Sequence, residues 1–175
     1  VVLFGLLSLL RPLGAGEGDL FEGGDAMLDR IKKATVSIYA KPTQRKTVKY
    51  GFVTPPGGSG SGVVISADGY IMTALHVVDH CTNVYVRFFD RSEKLADVVG
   101  VDRFIDIALL RLRDPAGVSA FLKPGAAEEV KVGQRVVAVG NPGNLSTTFT
   151  SGIVSFIGRS GLGLWPVEFF HQPGQ

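Results

Sequence analysis

An all-β fold of short antiparallel strands is predicted by three features of the 175-residue chain. Glycine is abundant, at 23 residues, and scattered along the sequence. Apolar residues recur with a period of two in short segments bounded by turn residues. Asp68-Gly69 sits between two apolar runs, a strong hairpin signal because these residues tolerate tight-turn dihedrals.

Hydrophobic residues make up 45% of the chain and charged ones 19%, enough to bury a core and inconsistent with disorder. The length suits one domain or two small barrels in tandem. A net charge of +2 is too small to imply a nucleic-acid partner. Seven Lys or Arg residues fall between Arg30 and Lys49 with no Asp or Glu. They read as a solvated helix end and an exposed loop, since no aromatics are interleaved at stacking spacing. Cys81 is the sole cysteine, so no internal disulfide, CxxC pair or Cys/His zinc set exists, and no cofactor or metal is expected.

The apolar run Val1–Leu10 is too short to span a bilayer but suits the h-region of a signal peptide, with small residues at Gly14-Ala15-Gly16. Residues 1–20 are read as a signal peptide or membrane-anchor remnant, an amphipathic core helix being the alternative. Asp25 is expected to cap a helix over Ala26–Lys33, acidic early and basic late, as the helix dipole prefers. A strand over Thr35–Ala40 precedes a basic loop that runs to about Lys49. The run Pro55–Gly62 reads as a loop; it lacks the Lys of a phosphate-binding loop and leads into a strand.

A hairpin follows, Val63–Ser66 and Tyr70–Thr73. Further strands are expected at Asn83–Phe89, Leu95–Val101, Ile107–Leu112, Arg135–Val139 and Thr147–Ile157, the last interrupted at Ser151-Gly152. Asp114–Gly125 connects two β-units. Strands at this density, with almost no helix between them, indicate an antiparallel barrel or sandwich. Pro166–Gln175 shows neither alternation nor a helical face and reads as an interrupted loop or a shifted reading frame.

Two polar residues sit against apolar strand. His76 is placed at the end of the second hairpin strand, and Asp106 opens the run Ile107-Ala108-Leu109-Leu110. A carboxylate beside such a run is costly without a donor. An imidazole N–H is a suitable donor, and that pairing fixes the tautomer whose other nitrogen acts as a base. Taken singly, His76 also reads as a satisfied core residue and Asp106 as a strand-end turn residue. Cys81 paired with His76 is a weaker nucleophile reading, because five residues separate the two poorly for convergence.

The segments Gly60–Ser66 and Thr73–Asp79 resemble the region around the catalytic His of HtrA (DegP-like) proteases. Asp106–Leu112 resembles the segment that holds their catalytic Asp. Val139–Gly143 and Thr150–Gly161 resemble second-barrel strands. The resemblance covers residues 30 to 161 in order. It implies a trypsin-like double antiparallel β-barrel, with a first barrel over about 34–113 and an incomplete second one over about 126–175, within a protease domain over 21–175. It implies His76 as general base and acid, and Asp106 as the residue that orients it. It further implies quality-control proteolysis of misfolded or unfolded proteins in the periplasm or another extracytoplasmic space, with homotrimers and appended PDZ domains frequent in the family.

The family's nucleophile lies in a Gly-Asn-Ser-Gly-Gly segment that also supplies the oxyanion hole, and none of the 175 residues forms such a run. Ser59 and Ser61 are placed in the loop before the hairpin; Ser151, Ser155 and Ser160 fall in strand segments. His80 is read as surface, Cys81 as buried filler, and His171 lies in the tail. The chain alone is therefore expected to be inactive, a serine-endopeptidase fragment whose Ser lies outside it. A non-catalytic homologue that binds peptides or protein partners is the alternative, and a purely structural β-domain a third. His76 and Asp106 are expected within hydrogen-bonding reach, and the second barrel is expected to expose apolar strand surface.

Overall fold

The computed structural model describes residues 24–42, 58–79, 81–125, 130–141, 147–155 and 157. The leader over 1–20, most of the basic loop and the tail from Pro166 lie outside these residues.

Helix α1 (Gly24–Ala34) opens the described chain. Asp25 lies inside its first turn and not at a cap, with Lys32 and Lys33 in the last. Ile31 and Ala34 face inward. Thr35 ends the helix: its hydroxyl donates to the Ile31 carbonyl at 2.9 Å as the backbone turns extended into β1 (Thr35–Pro42).

Six strands then close a barrel in the order β1-β2-β3-β6-β5-β4, with β2 (Gly58–Val64), β3 (Tyr70–Ala74), β4 (Cys81–Arg87), β5 (Glu93–Asp102) and β6 (Ile107–Leu112). Antiparallel pairing of β4 with β1 completes the closure, which leaves no free sheet edge. Alternation does the sorting. In β3, Ile71 and Thr73 point inward, and in β6 Ala108, Leu110 and Leu112 do. These side chains, with Val36, Ile38 and Val86, fill the barrel.

The predicted hairpin is present, β2 against β3, with Gly69 at φ +79° in the turn. A loop over Pro55–Gly62 is corrected: residues from Gly58 onward belong to β2 and pair with Thr35–Ala40. Ser59 and Ser61 are thus strand residues. The glycines that suggested a loop serve close packing. A Cβ on Gly60 would lie 2.6 Å from Val77 Cγ2, so glycine here lets the segment after β3 seat on the strand.

Beyond β6 the next strand among the described residues is β7 (Arg135–Gly140), which pairs antiparallel with β8 (Thr148–Ile153). The connection is pinned to the first barrel, since Leu122 N–H donates to the Val64 carbonyl at 2.9 Å and Arg30 donates to the Phe121 carbonyl. β8 runs unbroken through Ser151 and Gly152, whose partners are Val137 and Val136. The expected interruption is absent because glycine in an extended strand still donates and accepts ladder bonds. The strand also stops at Ile153, short of the expected Ile157, with Val154 held by Gln134 and Gly133. Ile153 and Ile157 are exposed. An apolar cluster of Ile31, Ala34, Val63, Leu122 and Val139 joins α1, the first barrel, the connection and the second sheet. Among the described residues no helix is long and apolar enough to cross a membrane.

Candidate active site

The register of β3 against β6 fixes the site. Thr73 pairs with Ala108 and Ala74 with Ile107. The next step of this ladder brings Leu75 to Asp106, and Leu75 N–H donates to the Asp106 carbonyl at 2.9 Å. There the strand turns into a four-residue helix, α2 (Leu75–Val78). His76 thus lies on α2 and not at the end of the strand, because Leu75, Val77 and Val78 turn into the core and leave the ring outside.

Asp106 stands just ahead of β6, as the expected strand bounds Ile107–Leu112 imply. It ends the turn before β6, at φ +56°, in the left-handed region that Asp tolerates better than most residues. The turn is held by Asp102, whose Oδ1 accepts the N–H groups of Phe104 at 2.9 Å and Ile105 at 3.3 Å. From this position the Asp106 carboxylate meets His76 twice. Oδ1 accepts the His76 backbone N–H at 2.9 Å, and Oδ2 lies 2.5 Å from ring Nδ1.

The Asp106 side chain is 16% exposed and the His76 side chain 43%. An ionised carboxylate only accepts, so in a neutral ring the proton of this contact belongs on Nδ1 and the lone pair on Nε2. One carboxylate therefore fixes the ring's orientation, its tautomer and the backbone that carries it. A sheltered acid behind a solvent-facing imidazole is an arrangement that can abstract a proton from a hydroxyl.

Several supporting residues carry little or no signal in the sequence. Arg103 reaches across to Asp79, with Nη2 3.2 Å from Oδ1, and ties the Asp turn to the end of α2. Asp102 had one legible signal, an Asp two residues before the turn residue it binds. A contact across 24 residues, as between Arg103 and Asp79, leaves no local signal. The Cys81 thiol donates to the Asp79 carbonyl at 3.4 Å, and the residue packs half-buried against the barrel core, which gives the Cys–His pairing no support. His171 and Ser160 lie outside the described residues, as does the His80 side chain. Among the described residues no group of three or more His, Cys, Asp or Glu is placed to hold a metal ion.

A closed barrel, a second antiparallel sheet and an imidazole oriented by a carboxylate are compatible with a peptidase-like domain of the two-barrel kind. Residues 60–172 match the family model of the trypsin-like peptidase domain. The chain is 45% identical over 114 residues to the periplasmic serine endoprotease DegP of Escherichia coli K12, covering 65% of this chain and 24% of that protein. It is 41% identical over 161 residues to the periplasmic pH-dependent serine endoprotease DegQ of the same organism, covering 83% of this chain and 35% of that one. The solved structure of the HtrA-type protease AlgW with a tripeptide superposes with a TM-score of 0.68 at 30% identity, over 81% of this chain and 42% of AlgW.

The chain belongs to the trypsin-like peptidase family, in its HtrA type. It spans between a quarter and about a third of the length of these two curated relatives.

Proposed function

We propose that this chain carries the acid–base half of a serine endopeptidase, with His76 as general base and acid and Asp106 as the residue that orients it. The nucleophilic Ser is assigned to a Gly-Asn-Ser-Gly-Gly segment outside the 175 residues. The observation that carries this reading is the double contact of Asp106 with His76, at ring and backbone. In the reaction, Nε2 takes the Ser proton as the hydroxyl attacks the scissile carbonyl. The imidazolium that forms is stabilised by Asp106, and it then protonates the leaving amine.

The resemblance extends the proposal to unfolded or misfolded polypeptides as substrates and to assembly as a homotrimer. The relatives named periplasmic support an extracytoplasmic location, with residues 1–20 serving as export signal or anchor and 21–175 forming the protease domain.

A fluorophosphonate probe on the protein encoded by the complete gene tests the reading, because only an assembled triad becomes covalently labelled. Labelling at a Ser within an in-frame Gly-Asn-Ser-Gly-Gly, abolished by His76→Ala, is the expected result. A complete protein that lacks such a Ser and resists the probe overturns it, and leaves a homologue that binds peptides without cleaving them.

A further inference from the structure

A triad split across two barrels needs something that registers one barrel against the other. His76 and Asp106 both belong to the first barrel, so no bond between them determines where a second-barrel nucleophile stands. Ser61, on β2, makes a polar contact that crosses this boundary. Its Oγ accepts the backbone N–H of Asn141, directly after β7, at 2.7 Å. The approach is close, since a Cβ on the adjacent Gly140 would lie 3.2 Å from the same oxygen. On its other side, the Ser61 carbonyl accepts the hydroxyl of Thr73 at 2.9 Å. Thr73 is fully buried and stands three residues before His76 on the strand that feeds α2. A continuous polar path therefore runs from the second sheet through Ser61 to the segment that carries the imidazole.

We propose that Ser61 is a positioning residue for the peptidase reaction: its hydroxyl sets the distance between His76 and the second barrel. The proposal rests on the serine-endopeptidase reading given above. The physical reason lies in the steep cost of misplacement, about 10²-fold in rate for roughly 1 Å at the reacting atoms. The hydroxyl touches no reacting atom. Its loss leaves the Asn141 N–H without its acceptor and lets the second sheet shift, while the His76–Asp106 pair, internal to the first barrel, stays as it is.

Ser61→Ala and Ser61→Thr in the complete protein test the proposal, with peptide hydrolysis and the NMR resonance of the His76 Nδ1 proton as readouts. Ser61→Ala is expected to lower kcat by about ten- to a hundred-fold with KM within about twofold, and to leave the Nδ1 proton resonance in place. Ser61→Thr, which keeps the hydroxyl, is expected to recover kcat to within about threefold. A Ser61→Ala enzyme with undiminished kcat overturns the proposal, as does a Thr variant no better than Ala. Loss of the Nδ1 proton resonance in Ser61→Ala also overturns it, because the effect would then arise inside the first barrel. A wild-type protein that neither hydrolyses peptide nor takes the fluorophosphonate probe removes the underlying reading instead.

Discussion

Every strand of the first barrel has a hydrogen-bonded neighbour on both sides, whereas β7 and β8, among the described residues, pair only with each other. The difference sets what each region can hold. In the closed barrel a register of β3 against β6 is enough to bring His76 and Asp106 together, and three hydrogen bonds to Asp106 follow from it. The second sheet has no such internal closure among those residues. It is held by the apolar cluster around Val63 and Val139 and by the Ser61–Asn141 bond. Chemistry that depends on the first region is built into one ladder; chemistry that joins the two depends on docking.

Substitutions in each region sharpen this contrast. His76→Ala is expected to lower kcat of the complete enzyme by about 10⁴-fold or more, measured by peptide hydrolysis, with the fold intact because the ring is partly exposed and lies outside the core. Leu110→Ala, at a site with no exposure, should cost about 2–5 kcal/mol in denaturant unfolding. Val136→Ala, in the second sheet's small cluster with Val130 and Val154, should cost less, on the order of 1–2 kcal/mol, as fewer buried carbons are lost. Equal costs would mean that the two regions are held alike. Gly60→Ala forces a Cβ against Val77 and should destabilise by about 1–3 kcal/mol, with a matching loss of activity as α2 moves.

Surface charge pairs mark the small end of the scale. The Arg103–Asp79 pair is expected to show a coupling of about 1 kcal/mol or less in a double-mutant cycle, and to weaken with salt. Asp97 is held below its usual pKa chiefly by hydrogen bonds from Arg113. Its folded value is depressed, so its contribution is fully present above the ordinary carboxylate pKa. That contribution is lost as pH falls through the lower folded value. Asp97→Asn should therefore flatten the acid limb of stability against pH, and an unchanged limb would show the pair to be inert.

The sequence carried most of the strands, because alternation and a turn dipeptide are local signals, and it singled out the two side chains that the fold brings together. Ile107–Leu112 appears with the expected bounds, and the hairpin turns at Asp68-Gly69. Gly58–Gly62 misled for a physical reason: glycine-rich sequence reads as loop, but here missing side chains admit Val77 and Ile38 against a regular strand. His76 is expected at a strand end but lies on α2, since a four-residue helix is too short to show a period. Asp106 was found by its apolar neighbours, while its left-handed backbone and the Asp102 cap depend on a turn whose conformation the residue types alone do not specify. Ser61 and Asn141 lie 80 residues apart, and only the folded chain brings them together.

The partnership of His76 with Asp106 meets its most direct test in Asp106→Asn. An amide at this position presents a donor toward Nδ1 and turns the ring to the tautomer whose Nε2 carries the proton, so the base is lost while packing is kept. A fall in kcat of about 10⁴-fold, with KM and thermal stability little changed, is the predicted result. An Asp106→Asn enzyme that hydrolyses peptide at close to the wild-type rate would contradict it.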